Sequence, residues 1–136
     1  MVSVVGPRLP AQVDQCWPQL SAGFEKSSKR SGGDIAPGEL WQGCRNGNLF
    51  LLIAHEDDEI VGASVWKLER WQTGMKFRCL GLYGARFREW IENMHTLATR
   101  VAQDCGATSL ISDGRPGWKA IFPKAKVLRL VYEEPI

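Results

Sequence analysis

The 136-residue chain has 44% hydrophobic and 24% charged residues, proportions that are ordinary for a soluble globular protein and fit one domain over residues 1–136. Its net charge of +2 is too small to indicate a nucleic-acid or membrane surface, and no apolar run approaches the ~20 residues of a membrane span. We therefore expect a cytosolic protein without nucleic-acid or membrane partners. The four cysteines lack C-x-x-C spacing, which argues against a zinc or redox site and favours buried thiols.

The first third of the chain predicts one short strand and two helices. Residues 1–5 form a short, mostly apolar run. A helix is expected over residues 11–29, where apolar residues recur at helical spacing, and Pro18 is best tolerated in a first turn. The polar residues 26–34 predict a loop, and Pro37 opens a second, short helix.

The middle of the chain predicts three consecutive strands. Residues 49–54 are apolar on both faces, which is typical of a central strand, and residues 60–70 form the next strand. The acidic connection between them, residues 55–59, contains one histidine and four carboxylates. Consecutive carboxylates on a hairpin turn are usually solvated, so no metal site is expected there. Residues 77–82 form the third strand.

The most informative stretch is residues 77–118, where a strand, a turn, a long amphipathic helix and a second strand follow in order. The helix is expected over residues 86–105, and the second strand over residues 108–112. In a β-turn-α-β unit the first N–H groups of the helix lie beside the end of a strand, where a phosphate or another anion can bind. A turn-rich segment, residues 113–118, follows, and residues 126–133 predict a last strand. The order indicates an α+β protein in which helices cover one sheet.

Three short motifs accompany this order: ELW at residues 39–41, LGLYG at residues 80–84 and GRPGW at residues 114–118. Together with the central hairpin, they resemble the GNAT superfamily of acyl-CoA-dependent N-acyltransferases, and most closely the small GNAT-like proteins of tailed bacteriophages. The resemblance runs from Trp17 to about Phe122. It implies a single-domain α+β GNAT-like fold, with a central, mostly antiparallel sheet and helices on both faces.

The resemblance also implies acetyl-CoA as the cofactor and a primary amine as the acceptor. Backbone donors near Leu80 and Leu82 would hold the acyl donor, and its phosphates would lie on the turn that follows, at Gly84, Ala85, Arg86 and Phe87. The superfamily's usual pyrophosphate loop is an Arg/Gln-x-x-Gly-x-Gly/Ala run, but residues 83–90 have no glycine pair at that spacing. The segment after the fifth strand also lacks the tyrosine that often protonates the departing thiolate.

Several charged residues allow both a functional and a structural interpretation. Glu69 is the candidate general base, by analogy with superfamily members that use a carboxylate near the sheet centre, but it is also consistent with a solvated strand-end charge. Arg86 and Arg88 stand at the positive end of a helix dipole. They either bind an anion or pair on the surface with Glu89 and Glu92.

Two functions stay open at this point. The preferred one is an N-acyltransferase acting in the host-cell cytoplasm on a primary amine. The alternative is a catalytically inactive GNAT-fold protein of the phage virion or its assembly, which binds other virion proteins. The altered loop, the missing tyrosine and the six tryptophans favour this alternative. In that case part of one set of tryptophans should be exposed, with Trp71 the strongest candidate: Trp41, Trp66, Trp71, Trp90 and Trp118.

Overall fold

One five-stranded sheet organises the chain, and its strands lie side by side in the order in which they occur in the sequence. A computed structural model describes residues 1–30, 33–113, 119 and 122–136. The first four strands pair antiparallel, whereas the last two are parallel. The strands are β1 (Ser3–Val5), β2 (Phe50–Glu56), β3 (Glu59–Trp71), β4 (Gly74–Gly84) and β5 (Ser109–Ser112).

Three α-helices flank this sheet in the described part of the chain: α1 (Pro10–Arg30), α2 (Pro37–Arg45) and α3 (Ile91–Asp104). A single 3-10 turn, Phe87–Glu89, precedes α3. The parallel pairing of β4 with β5 requires a crossover connection, and α3 supplies it. The long helix expected over residues 86–105 is therefore confirmed in kind, but its first turn is a separate 3-10 turn. No helix among the described residues is long and apolar enough to cross a membrane.

Helix α1 agrees to within one residue with the helix expected over residues 11–29, but two other expectations for this region differ. It begins at Pro10 and continues to Arg30, so the loop expected over residues 26–34 is wrong over its first five positions. The proline Pro18 lies inside the helix rather than in its first turn. Buried residues on both sides of this proline, Val13, Trp17, Leu20 and Phe24, hold the helix on the sheet and outweigh the hydrogen bond that Pro18 cannot donate.

The sheet has an apolar core on each face, because successive residues of β2 point to opposite sides. Leu51 and Ile53 face α1 and α2, together with Ala63 and Val65 of β3. Leu52 and Ala54 point to the other face, together with Trp66 and Phe77. There they form the second core with Trp90 and with residues of α3: Ile91, Met94, Ala98, Val101 and Ala102. The α+β class with helices on both faces of the sheet, as expected from the sequence, is confirmed.

The expected last strand is wrong. Residues 126–133 belong to no helix or strand, and every one of them is exposed. Their apolar residues favour a strand, but a strand also needs a neighbour to accept and donate backbone hydrogen bonds. The whole GRPGW motif at residues 114–118 lies outside the described residues.

Four of the five tryptophans in the set expected to be partly accessible lie in the described structure, and none of these four is exposed. Trp66 is 8% exposed and Trp90 is 1% exposed, so neither belongs to an accessible part of the set. Trp41 and Trp71 are half-buried, and each donates its indole N–H to a carboxylate of the same chain. Trp118 lies outside the described residues.

Candidate functional site

Strand β4 continues past its neighbour β5. The last parallel pair joins Cys79 to Ser112, where β5 ends, whereas β4 runs on to Gly84. Over residues 80–84, β4 is paired only with β3 within the described structure. Among the described residues no strand lies on the opposite side of this stretch. We call this side the opening, and backbone N–H and C=O groups of β4 are directed towards it.

A β-bulge marks the start of this opening. Val65 of β3 pairs with Gly81, while Trp66 pairs with Cys79, so Leu80 is an extra residue on β4. Bulges re-aim the backbone and are frequent next to binding sites. The Cys79 thiol lies at the bulge and contacts the Gly81 carbonyl oxygen at 3.4 Å. Burial raises the pKa of Cys79 to about 12, so this thiol is not a nucleophile at neutral pH.

Helix α1 packs directly against the stretch of β4 beyond the bulge. The Leu82 N–H donates to the Ser27 hydroxyl at 3.4 Å, which shows that this amide points away from β3 and towards the opening. The ring of Tyr83 lies over Gly23, where an added Cβ would be 2.3 Å from the ring carbons. Because Gly23 lacks a side chain, α1 can approach β4 this closely. Ser27 was not recognised from the sequence, since the segment around it was assigned to a loop.

The loop after β4 is held by Trp90. Its indole N–H donates to the Ala85 carbonyl oxygen at 2.8 Å, and its six-membered ring lies against Gly62 and Gly84. The Ala85 N–H donates to the Val61 carbonyl oxygen at 2.8 Å. These contacts fix the path of the backbone into the 3-10 turn, and a side chain at Gly84 would meet the Trp90 ring at 2.5 Å.

Arg86 is exposed and bound by carboxylates of its own chain. Its guanidinium contacts Glu56 at 2.8 Å and Glu89 at 2.6 Å. The hydrogen bond from Arg86, followed by that from the N-terminal ammonium group, lowers the pKa of Glu56 to about 2. The hydrogen bonds that Arg86 donates to Glu89 and then to Glu56 raise the pKa of Arg86. Of the two interpretations of Arg86, the structure therefore shows the internal ion pair, which an anionic ligand would have to share or displace.

Glu69 lies at the other end of β3, opposite Lys76 of β4. Lys76 precedes the bulge residue Leu80 by four positions, or roughly 13 Å along the strand. The Glu69 carboxylate contacts the Arg78 guanidinium at 3.3 Å and the indole nitrogen of Trp71 at 3.1 Å. The structure therefore brings the six expected cofactor-binding residues together at one end of β4 and places Glu69 apart from them.

Asp113 is the carboxylate nearest the start of the opening along β5. It directly follows the last residue of β5 and contacts the second guanidinium nitrogen of Arg78 at 3.6 Å. Arg78 thus joins Glu69 to Asp113 across β4. The sequence analysis assigned no role to either Asp113 or Arg78, although an aspartate that directly ends a strand was a usable signal. Among the described residues no group of histidine, cysteine and carboxylate side chains could hold a metal ion.

Comparison with known proteins gives neighbours in structure but none in sequence. No protein-family model matches the chain, and no curated protein matches its sequence. An aminoglycoside acetyltransferase from an uncultured soil metagenomic sample superposes with a TM-score of 0.74 at 16% identity, covering 100% of this chain and 99% of that one. A predicted acetyltransferase with acetyl-CoA from Clostridium acetobutylicum gives 0.70 at 12% identity, covering 98% and 96%.

A third neighbour is the ribosomal-protein-alanine N-acetyltransferase from Brucella melitensis biovar Abortus 2308, with a TM-score of 0.67 at 12% identity, covering 100% of this chain and 98% of that one. Other neighbours carry the GNAT name itself, including one from Staphylococcus aureus. The chain therefore has the fold of the GNAT acetyltransferases. Identities this low establish the fold and leave the activity to be argued from the site.

Proposed function

We propose that the protein is a GNAT-like N-acetyltransferase that binds acetyl-CoA along β4 and transfers the acetyl group to a primary amine. The observation that carries this proposal is that β4 extends beyond the end of β5, after a bulge at Leu80. An extended, amide-containing chain such as the pantetheine arm of CoA can take the hydrogen bonds that β5 leaves unused there. One neighbour in structure is a complex with acetyl-CoA, which supports this choice of donor.

The residues around the opening fit the two ends of acetyl-CoA to different degrees. Backbone groups of Leu80 and Leu82 would hold the acyl end and the pantetheine arm. The loop at Gly84 to Phe87 would take the diphosphate, with Arg86 turning from Glu56 towards it. At the acyl end the ligand would have to take the Leu82 N–H from the Ser27 hydroxyl, a long contact of 3.4 Å. The diphosphate end must compete with the shorter ion pairs that Arg86 already makes.

Acetyl-CoA supplies an acetyl group activated as a thioester. The protein's own contribution is to hold the carbonyl oxygen with backbone donors at the bulge, where negative charge develops during acyl transfer. The acceptor must lose a proton as its nitrogen forms the amide bond and the carbon–sulfur bond breaks. We propose Glu69 as the general base; because it lies apart from Leu80 along the sheet, the proton would reach it through a relay of more than one water molecule. Two of the structural neighbours are aminoglycoside acetyltransferases, so an aminoglycoside is a reasonable first acceptor.

Calorimetric titration with acetyl-CoA, combined with hydrogen exchange of the backbone amides, tests the donor site. We expect binding and slower exchange at residues 80–87. The double variant Arg86→Ala, Arg88→Ala should weaken binding by about tenfold or more, since charge-assisted contacts to phosphate contribute ~1.5–3 kcal/mol. Arg45→Ala, which removes an exposed arginine on α2, is the matched control and should bind normally. Unchanged affinity in the double variant would show that the diphosphate does not bind at this loop.

A variant of the base gives a separate test of catalysis. Glu69→Gln keeps the shape of the side chain and removes its negative charge. We expect acetyl-CoA to bind with unchanged affinity while acetylation of an aminoglycoside or another amine falls by about 10²–10⁴-fold. The matching variant Asp113→Asn distinguishes the two carboxylates that Arg78 joins. If only Asp113→Asn loses activity, Asp113 is the base and Glu69 is not.

A second candidate is supported by the ion pairs of Arg86 and the missing glycine pair. In this alternative the protein is a non-catalytic GNAT-fold component of a bacteriophage virion or its assembly, and not an enzyme of the host-cell cytoplasm. Arg86 would then keep its ion pairs with Glu56 and Glu89, because no anionic ligand displaces them. Absence of acetyl-CoA binding, together with detection of the chain in purified phage particles, is the result that this alternative predicts.

A further inference from the structure

The exposed apolar side chains of the protein are concentrated in one segment. Among the residues that the structure describes, eight large hydrophobic side chains are exposed, and five of the eight fall within residues 126–133, here called the C-terminal segment. These five are Val127 (71%), Leu128 (54%), Leu130 (68%), Val131 (84%) and Tyr132 (84%). Apolar groups exposed contiguously in this way mark a surface that a partner covers.

The sequence of the C-terminal segment is that of a strand buried on both faces. Valine, leucine and tyrosine are typical of strands. In an extended conformation, Val127 and Val131 would point to one side, while Leu128, Leu130 and Tyr132 would point to the other. A strand with one solvent-exposed face would instead alternate apolar with polar residues. The segment is therefore suited to a position inside a sheet, between a neighbouring strand and helices or another layer.

The same chain presents a sheet edge that lacks a neighbour. Within the described structure β5 pairs only with β4, so the outer backbone groups of Ser109–Ser112 face away from the sheet. An uncovered edge of this kind readily accepts another strand. Leu110 packs against the core on the α3 side, which shows that this edge continues a buried layer.

The contacts of the C-terminal segment and of the residue before it are with α3 and the β3–β4 hairpin. Phe122, just before it, packs against the core on the α3 side and stacks with His95 at 4.6 Å between ring centroids. Within the segment, the Arg129 guanidinium lies 5.7 Å from the ring of Trp71, at the end of the β3–β4 hairpin. The segment thus crosses the end of the sheet, and its apolar side chains extend outward.

We propose that the C-terminal segment adds as a strand to the β5 edge of a second copy of the chain, and that the exchange is reciprocal. Within the described residues, a single protomer contains both an exposed segment of strand-like sequence and an unpaired sheet edge, which is the self-complementarity that a two-fold dimer requires. Reciprocal exchange pairs both edges and covers ten large apolar side chains, five from each copy. Both of these features belong to this one chain, so a second copy satisfies them without any other component.

Sedimentation velocity of the purified protein at micromolar concentration is the direct test. We expect twice the mass of the chain, and a twofold fall in mass for Leu130→Lys. The matched control is Leu9→Lys, because Leu9 is also exposed (64%) but lies outside the C-terminal segment. Its mass should stay that of the dimer. Loss of the dimer in both variants would point to general hydrophobic association and would overturn the proposal.

Two further measurements separate strand addition from other ways of covering the segment. Leu130→Pro keeps the position apolar but removes one backbone donor, and it should also give the monomer if the segment pairs as a strand. Amides of residues 126–132 should exchange slowly in the dimer and rapidly in Leu130→Lys. A monomeric wild-type protein overturns the proposal, whether its segment is unprotected or is protected by its own sheet. A dimer that survives both Leu130 variants overturns it as well.

Discussion

Glu56 and Arg86 connect the end of β2 to the loop after β4, and this pair has a predictable pH dependence. The pKa of Glu56 is lowered from 4.5 to about 2, first by the hydrogen bond from Arg86. A lower pKa in the folded state means that ionisation stabilises the fold. This stabilisation is fully present above pH 4.5 and is lost as the pH falls towards about 2. Glu56→Gln should therefore lower the urea midpoint at neutral pH, and the difference from wild type should disappear at the acidic end.

The control for Glu56 is Glu25, which forms an exposed pair with Lys29 one helical turn away. Glu25→Gln should change the urea midpoint little at any pH, because exposed pairs of this type contribute little. A Glu56→Gln difference that persists unchanged at low pH would show that its cause is packing and not charge.

A second prediction at the scale of single residues concerns the close packing around Gly62. A Cβ at this position would be 2.5 Å from the Trp90 ring and 2.8 Å from the Tyr83 carbonyl oxygen. The backbone oxygen cannot move aside as a flexible side chain could, so Gly62→Ala should destabilise the protein by ~1–3 kcal/mol in denaturant titration. Gly38→Ala is the comparison: it lies in α2 with open space around it, and should be neutral or slightly stabilising. Similar results for both would contradict the close contact with Trp90.

At the scale of elements, the stability of α3 should follow the burial of its individual side chains. Met94 is 1% exposed and contacts the Ser64 hydroxyl at 3.2 Å, whereas Leu97 is only partly buried. Met94→Ala should cost ~2–5 kcal/mol of unfolding free energy, and Leu97→Ala should cost clearly less. Equal losses, measured by urea titration, would mean that the helix is rotated about its axis from the position described.

The elements that the sequence predicted well are those whose pattern depends on local residues. β2 and β3 are long apolar runs, and α3 repeats apolar residues at helical spacing, so each could be recognised without knowing its neighbours. The end of α1 could not, because its polar residues after Phe24 continue a helix that is anchored upstream. The strand expected at residues 126–133 has the right composition, but pairing depends on an edge elsewhere in the fold or in another copy.

The candidate site was predictable only in outline for the same reason. The resemblance implied cofactor-binding residues at positions 80–87, but the bulge at Leu80 depends on the register between β3 and β4. The ion pair of Arg86 depends on Glu56, thirty positions earlier in the chain. The bridge from Glu69 through Arg78 to Asp113 likewise joins three strands. Each of these features follows from tertiary neighbours that no local pattern encodes.

At the scale of the whole molecule, β2 and β3 are shared by both cores. Leu51, Leu52 and Ala54 are 0% exposed although they point to opposite faces, and Ala63 and Val65 are equally buried. Opening either face therefore exposes apolar surface of the same two strands, so we expect one cooperative unfolding transition. In native-state hydrogen exchange, the slowest amides should be those of residues 51–54 and 63–65, near the global unfolding free energy.

The exchange experiment also has an internal comparison within the sheet. β1 is an edge strand of three residues and should open at lower free energy than β2, to which it pairs. Its amides should respond little to denaturant because their opening is local, whereas those of β2 and β3 should respond steeply because their opening exposes both cores. If amides of α1 or α3 instead exchanged more slowly than those of β2 and β3, the stable unit would be a helix with one core. In that case β4, which borders the opening, would belong to a sheet that separates from its helices before the protein unfolds globally.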